Sequence, residues 1–125
     1  GYYLHLEPGR YFLSGGIYCP PADVLRAIRT AIYQSPGEFK AIIYDKQFKA
    51  LFGELYGEKL KTAPRGFPKD FEDIQLLNYK SYVNVHQISE ERVMQDDFIN
   101  YAIDIYRKTL PFNQFLNRAI ETRVE

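Results

Sequence analysis

The 125-residue sequence has no tryptophan, one cysteine and no formal net charge. With Cys19 alone, the chain cannot form an internal disulfide, so we expect a reducing, cytoplasmic compartment. A cysteine at a strand end without a charged neighbour is usually a small buried hydrophobe, and we expect Cys19 to be one. Sixteen basic residues balance sixteen acidic ones, so the overall positive field that favours nucleic acid is missing.

Signals for membranes, cofactors and metals are missing as well. No apolar run approaches the roughly 18 residues that a membrane-spanning helix needs. The sequence contains no G-x-G-x-x-G, no G-K-[ST] and no HxH or HxxxH spacing. We therefore expect no membrane partner, no nucleic-acid partner, no cofactor and no dedicated metal site.

The strongest pattern that is present lies in residues 1–18, which read GYYLHLE, a Pro-Gly turn, and RYFLSGGIY. Both arms alternate in side-chain character with a period of two, which predicts a β-hairpin with one buried face. The loop has two or three residues, and each length pairs the arms differently. A two-residue loop puts Leu4, Leu6, Leu13 and Ile17 inside.

The remaining chain is mainly helical. Apolar residues at helical spacing predict about five to six helices, packed on one face of a small antiparallel sheet. Ser35 and Glu38 have the spacing of a capping box, and Ser89 also has the position of an N-cap. Pro111 is expected to begin the last helix, since proline is favoured at a first helical position.

Residues 80–88 alternate again and predict a third strand, with Lys80, Tyr82, Asn84 and His86 on its polar face. The helix that follows carries two apolar stripes. A helix that is apolar on two sides is expected to be covered on two sides. A partner protein or an N-terminal region outside this sequence would supply the second cover.

These elements predict a single α+β domain over residues 1–125. The sequence begins at once with strand-like residues, so we expect it to be the C-terminal part of a longer natural chain. The segments GYYLHLEPG, SGGIY, LRAIR, LKTAPRGFPKD and LLNYKSY resemble an uncharacterised bacterial and fungal family, domain of unknown function 2461. The resemblance runs over residues 1–82 and implies a largely helical region before them. It implies no activity.

One group of candidate functional residues lies on the predicted sheet. His5 and Glu7 are two residues apart, so they share a strand face about 7 Å apart. Glu7 can meet Arg10 across the turn, and His86 and Lys80 join them if the third strand pairs nearby. Two histidines and a carboxylate can hold a metal, but a solvated face with a Glu–Arg pair is the simpler interpretation.

A second group lies in residues 54–69, a loop with four basic residues that prolines stiffen. Arg65 can fork onto a carboxylate or a phosphate. In the simpler alternative, Arg65 pairs with Asp70, Glu72 or Asp73 and locks the loop.

Two functions remain open. The first is a binding or interaction module that engages an anionic small molecule or a protein partner through Arg10, Arg65 and Lys80. The alternative is a hydrolase-like or metal-assisted enzyme, in which His5 and Glu7 act as general base or metal ligands and Arg65 holds an anionic substrate.

Overall fold

The computed structural model describes residues 1–122, which form three β-strands and five α-helices. The sheet is antiparallel in the order β1–β2–β3, with strands β1 Tyr2–Glu7, β2 Arg10–Ile17 and β3 Tyr82–Ile88. The helices are α1 Ala22–Gln34, α2 Pro36–Ile43, α3 Lys46–Phe52, α4 Glu90–Val93 and α5 Phe98–Glu121, with a 3₁₀ turn at Ile74–Leu77. The α+β class and the N-terminal hairpin are therefore confirmed.

The hairpin closes with a two-residue turn. Glu7 lies opposite Arg10, and Gly9 takes a φ of 83°, which glycine adopts without strain. Leu13 is fully buried, but Leu4 and Leu6, which a two-residue loop was expected to bury, are 38% and 54% exposed. The reason is that α5 packs mainly on β2, while β1 forms the edge of the sheet.

The face of β3 that the sequence marks as polar is the core face. Tyr82 and Asn84 are completely buried, and His86 lies opposite the buried Leu13. The expectation of a solvated face was wrong because these polar groups find partners inside the protein. The Tyr82 hydroxyl, for example, donates to the carbonyl of Leu76 at 2.7 Å.

Asn84 is the centre of a buried polar network between the sheet and α5. Its Oδ1 accepts from the Gly15 amide at 2.6 Å, and its Nδ2 donates to Thr109 Oγ1 at 2.6 Å. Asn113 Oδ1 accepts from the Gly16 amide at 2.7 Å. Buried polar groups are costly unless they are paired, so this network fixes where α5 sits on the sheet.

The cap predictions have mixed outcomes. Ser89 accepts from the Arg92 amide at 3.1 Å, which confirms it as the N-cap of α4. The capping box at Ser35 and Glu38 was wrong, because the Ser35 side chain makes no cap bond. The Ser35 amide instead closes α1, and Glu38 pairs with Arg118 of α5.

Helix α5 runs through Pro111, so the expectation that this proline begins a separate helix was wrong. An interior proline costs about 3 kcal/mol, but the residues after it, Phe112, Phe115 and Leu116, are almost completely buried. Their burial outweighs the lost backbone hydrogen bond.

Within residues 1–122, no helix is long and apolar enough to cross a membrane.

Only one of the two predicted stripes of the tail helix is covered. Ala102 and Ile105 are buried in the core, whereas Ile99 and Ile103 are 71% and 45% exposed. Within residues 1–122 the second stripe stays largely exposed, so its cover by a partner protein or by an N-terminal region outside this sequence stays a prediction. The exposed stripe runs beside β1, where the Tyr2 and Tyr106 rings meet edge to face at 5.3 Å.

Candidate functional site

A groove of about 420 Å³ lies on the open face of the sheet, opposite the helices. Residues of alternating position point to this face, and the register sets Ser14 against Val85 and Phe12 against Gln87. The floor of the groove consists of side chains from the central strand and its neighbour β3, namely Phe12, Ser14, Val83 and Val85. The groove is thus built on the paired strands β2 and β3.

Tyrosines form the walls of this groove. Tyr3 projects from β1, and Tyr56 lies on the other side, where its amide donates to the carbonyl of Val83 at 2.8 Å. Tyr18 stands beyond the end of β2 and is 71% exposed. Tyrosine suits such a surface because a broad apolar ring carries one polar tip.

Arg10 lies at the other end of the groove. Its guanidinium stands 5.3 Å from the centre of the Phe12 ring, an arrangement in which the ring face attracts the cation. Glu7 is the cross-strand neighbour, but within residues 1–122 Arg10 forms no ion pair. All of its N–H donors are therefore available to a ligand.

A hydrogen-bonded chain runs along β1 beside the groove. His5 Nδ1 lies 3.2 Å from the Tyr3 hydroxyl, and His5 Nε2 lies 3.4 Å from Glu7 Oε1. The His5 ring also stacks on Phe12 at 4.8 Å. A neutral His5 that donates to the carboxylate must accept from Tyr3, so the chain can hold or move a proton at the Tyr3 oxygen.

His86 is on the other side of the sheet. Its Nδ1 donates to the Leu51 carbonyl at 2.8 Å, and its Nε2 pairs with the Tyr101 hydroxyl. Burial raises the pKa of Tyr101. Because His86 lies on the core face of the sheet and His5 on the open face, the ligand set of two histidines and a carboxylate does not come together. Residues 1–122 hold no group of three or more His, Cys, Asp and Glu suited to a metal ion.

Arg65 and Lys80 lie outside the groove. Arg65 is exposed, and among the described residues it does not make the predicted pairs with Asp70, Glu72 or Asp73. Asp73 instead pairs with Lys40 at 3.1 Å. Lys80 is held by Glu58 at 3.2 Å on the surface. Of the three cations proposed from the sequence, only Arg10 lines the groove.

Cys19 is exposed, not buried as expected. It sits at a corner of the chain with a φ of 46°, and its amide donates to Ser81 Oγ at 2.8 Å. A hydrogen bond with Cys19 raises the pKa of Tyr18. The Tyr18 hydroxyl therefore stays protonated at neutral pH.

Sequence reasoning found the polar end of the groove and missed its aromatic walls. The alternation that groups His5 with Glu7 also places Tyr3 with them, so that signal was available. Tyr18 and Tyr56 lie outside the regular strands, and no periodic signal marks them.

Comparison with known proteins gives one finding. No curated protein and no solved structure matches the chain. The family model described as conserved hypothetical protein (DUF2461) matches residues 1–115. Because that match covers most of the sequence and includes the hairpin and all three strands, the chain belongs to this family.

Proposed function

We propose that the protein binds a small anionic ligand in the groove on the open sheet face, with the anionic group on Arg10. The observation that carries the proposal is the position of the Arg10 guanidinium. It lies at one end of the groove and above the Phe12 ring, and it has no carboxylate partner among residues 1–122. An unpaired arginine next to an apolar floor is well suited to bind a carboxylate or phosphate through paired hydrogen bonds.

The nearest carboxylate supports this assignment. Glu7 faces Arg10 across the hairpin, but its Oε1 lies 3.4 Å from His5 Nε2. The groove next to Arg10 excludes part of the surrounding water, which strengthens a charged hydrogen bond. An incoming anion therefore meets a cation that is already oriented by Phe12.

The test compares Arg10→Gln with Arg65→Gln by isothermal titration calorimetry, with benzoate, butanoate and inorganic phosphate as probes. We expect Arg10→Gln to weaken binding by roughly 10- to 100-fold, because a hydrogen bond to a charged group contributes about 1.5–3 kcal/mol. Arg65→Gln removes an arginine that is also exposed but lies outside the groove, and it should leave binding unchanged. If Arg65→Gln causes the loss instead, the anion binds to the basic loop and the proposal is wrong.

Proton-transfer catalysis is a second candidate, and the Tyr3–His5–Glu7 chain favours it. In this reading Glu7 orients His5, and His5 acts as the general base for a group bound in the groove. p-Nitrophenyl acetate and related esters are suitable probes. His5→Gln should abolish any turnover while anion binding to Arg10 persists. Turnover that is unchanged in His5→Gln would rule out this role.

We place this binding activity in the cytoplasm. Cys19 is exposed and unpaired, and a reducing compartment keeps such a thiol from forming disulfides between molecules. Location by fluorescence of the tagged protein in its native host tests this assignment.

A further inference from the structure

We infer that the ligand is a long-chain carboxylate, whose head group binds Arg10 and whose alkyl chain lies along the groove towards Tyr18. This inference rests on the proposed function, since it assigns the ligand class of the same site. It adds a requirement that anion binding alone does not have, namely that affinity depends on the length of an apolar chain.

The dimensions of the groove favour a linear ligand. Arg10 and Gly16 both line it, and six residues of antiparallel strand span about 20 Å. A volume of about 420 Å³ over that length is enough for one extended alkyl chain.

The chemistry changes along the groove in the same direction. Arg10 is the one charged side chain that lines it within residues 1–122, and Gln87 is the polar neighbour at that end. Beyond them the floor is mainly apolar, with Phe12, Val85 and Val83 in sequence along the strands and the small Ser14 between them. This order of charge followed by apolar surface is complementary to a carboxylate with an alkyl chain.

Other occupants fit this surface less well. A nucleic acid strand carries one phosphate per nucleotide and binds along rows of cations, whereas Arg10 is the one charged side chain of residues 1–122 that lines this groove. A second copy of the chain would bring an identical Arg10 and the same exposed tyrosines, and within residues 1–122 no carboxylate lines the groove to pair with the cation. We therefore treat both as outcomes that the experiment must detect.

The experiment measures the affinity of the full chain for butanoate, octanoate, dodecanoate and hexadecanoate by calorimetry, below the concentrations at which each forms micelles. A methylene that is buried on one side contributes about half the free energy of a fully buried one, so each added methylene should improve affinity about twofold. Dodecanol, which lacks the charge, should bind more weakly than dodecanoate by the factor that Arg10→Gln causes.

Two variants locate the chain. Tyr18→Ala should weaken binding of hexadecanoate severalfold and leave butanoate unchanged, because only a long chain reaches Tyr18. Ile99→Ala is the matched control, since Ile99 is equally exposed (71%) but lies on α5, on the other side of the sheet. Circular dichroism of each variant verifies that it is folded.

The outcomes are distinguishable. Equal affinities for all four carboxylates would overturn this inference and leave the anion site in place, whereas no binding of any carboxylate would overturn both. A loss with Ile99→Ala but not with Tyr18→Ala would place the chain on the surface of α5. If the protein self-associates in analytical ultracentrifugation and Val85→Glu abolishes this, the open face binds a second copy. If the protein binds oligonucleotides in preference to the carboxylates, the open face binds nucleic acid.

Discussion

Replacing Gly15 by alanine should destabilise the protein at the contact between the sheet and α5. A Cβ at this position would lie 2.5 Å from Thr109 Oγ1, 3.1 Å from Asn84 Oδ1 and 3.2 Å from Asn113 Nδ2. Gly15 does not have a positive φ, so alanine is permitted by the backbone. The collision with the polar network is therefore the physical reason for glycine here.

The expected loss can be worked from these contacts. Overpacking a core by one methyl group costs about 1–3 kcal/mol. Displacing the Thr109 hydroxyl also weakens its hydrogen bond with Asn84 Nδ2, at about 1 kcal/mol. We expect Gly15→Ala to lower the free energy of unfolding by about 2–4 kcal/mol, a large share of the 5–15 kcal/mol that is typical of a native protein.

Urea unfolding monitored by circular dichroism measures this loss, and Gly37→Ala is the matched control. Gly37 lies in helix α2, and a Cβ there meets nothing within 4 Å. The same chemical change should therefore stabilise the protein there, by about 0.5 kcal/mol, because alanine restricts the unfolded chain. The prediction is that the two substitutions have opposite signs.

A double-mutant cycle tests the cause. Thr109→Ala removes the atom that the new methyl group meets first, so the double variant Gly15→Ala/Thr109→Ala should lose less stability than the sum of the single losses. A Gly15→Ala variant within 0.5 kcal/mol of the wild type, or additive losses in the cycle, would refute this account of the network.

Three further predictions concern the helices. Ile105→Ala should lower the free energy of unfolding in urea by about 2–5 kcal/mol, because the Ile105 side chain is 3% exposed. Ile99 is 71% exposed, so Ile99→Ala should change that free energy by no more than about 0.5 kcal/mol. Similar losses for the two variants would contradict the one-sided cover of α5. Arg29→Gln should lower the free energy of unfolding by about 2 kcal/mol. The Arg29 guanidinium donates to the carbonyls of Leu77 and Tyr79, at 2.7 and 3.0 Å. No change in stability would mean that these bonds do not persist in solution. The hydrogen bond with Arg92 lowers the pKa of Asp97. The stabilising effect of this bond is therefore present above the ordinary carboxyl pKa and is lost as pH falls through the lowered value. Arg92→Gln should raise the pKa of Asp97 towards the ordinary range in a carbon-13 NMR titration, and an unchanged titration would exclude the contact.

Alternation of side chains was sufficient to predict the hairpin, but not which face of β3 is buried. Asn84 and His86 read as solvated because asparagine and histidine usually are. Their partners are Thr109 and Tyr101, on a helix that follows later in the chain. Since these partners are distant in sequence, no local pattern reveals that the polar groups are satisfied inside.

Two local signals were overruled by packing. The proline at 111 is a helix breaker in isolation, yet the helix continues because Phe112 and Leu116 are buried against the core. Ser35 has the residue type of an N-cap, but its amide already bonds to the Ala31 carbonyl at the end of α1, and Glu38, the other member of the box, pairs with Arg118 of α5. The burial after Pro111 and the Glu38–Arg118 contact are tertiary effects, and local preferences worth about 1–3 kcal/mol do not reveal them.

Part of the candidate site could be predicted from the sequence, for a related reason. Arg10, His5 and Glu7 were found together because a single hairpin places them on one face. Arg65 was grouped with them by charge alone, and the structure puts it in a separate loop. Tyr56 reaches the groove only through its pairing with Val83, a contact between segments that the sequence does not link.

The two adjacent glycines connect the stability of the core with the shape of the groove. Gly15 leaves room on the core side for the Asn84 network. Gly16, opposite Val83 on the groove side, takes a φ of 100°, and a Cβ there would lie 2.0 Å from the Tyr82 carbonyl. A side chain at Gly15 would displace the polar network, and one at Gly16 would collide with the backbone of β3. The β2 backbone beneath the groove is therefore held by the Asn84 and Asn113 side chains that also seat α5, and a ligand that binds there binds to a rigid part of the fold.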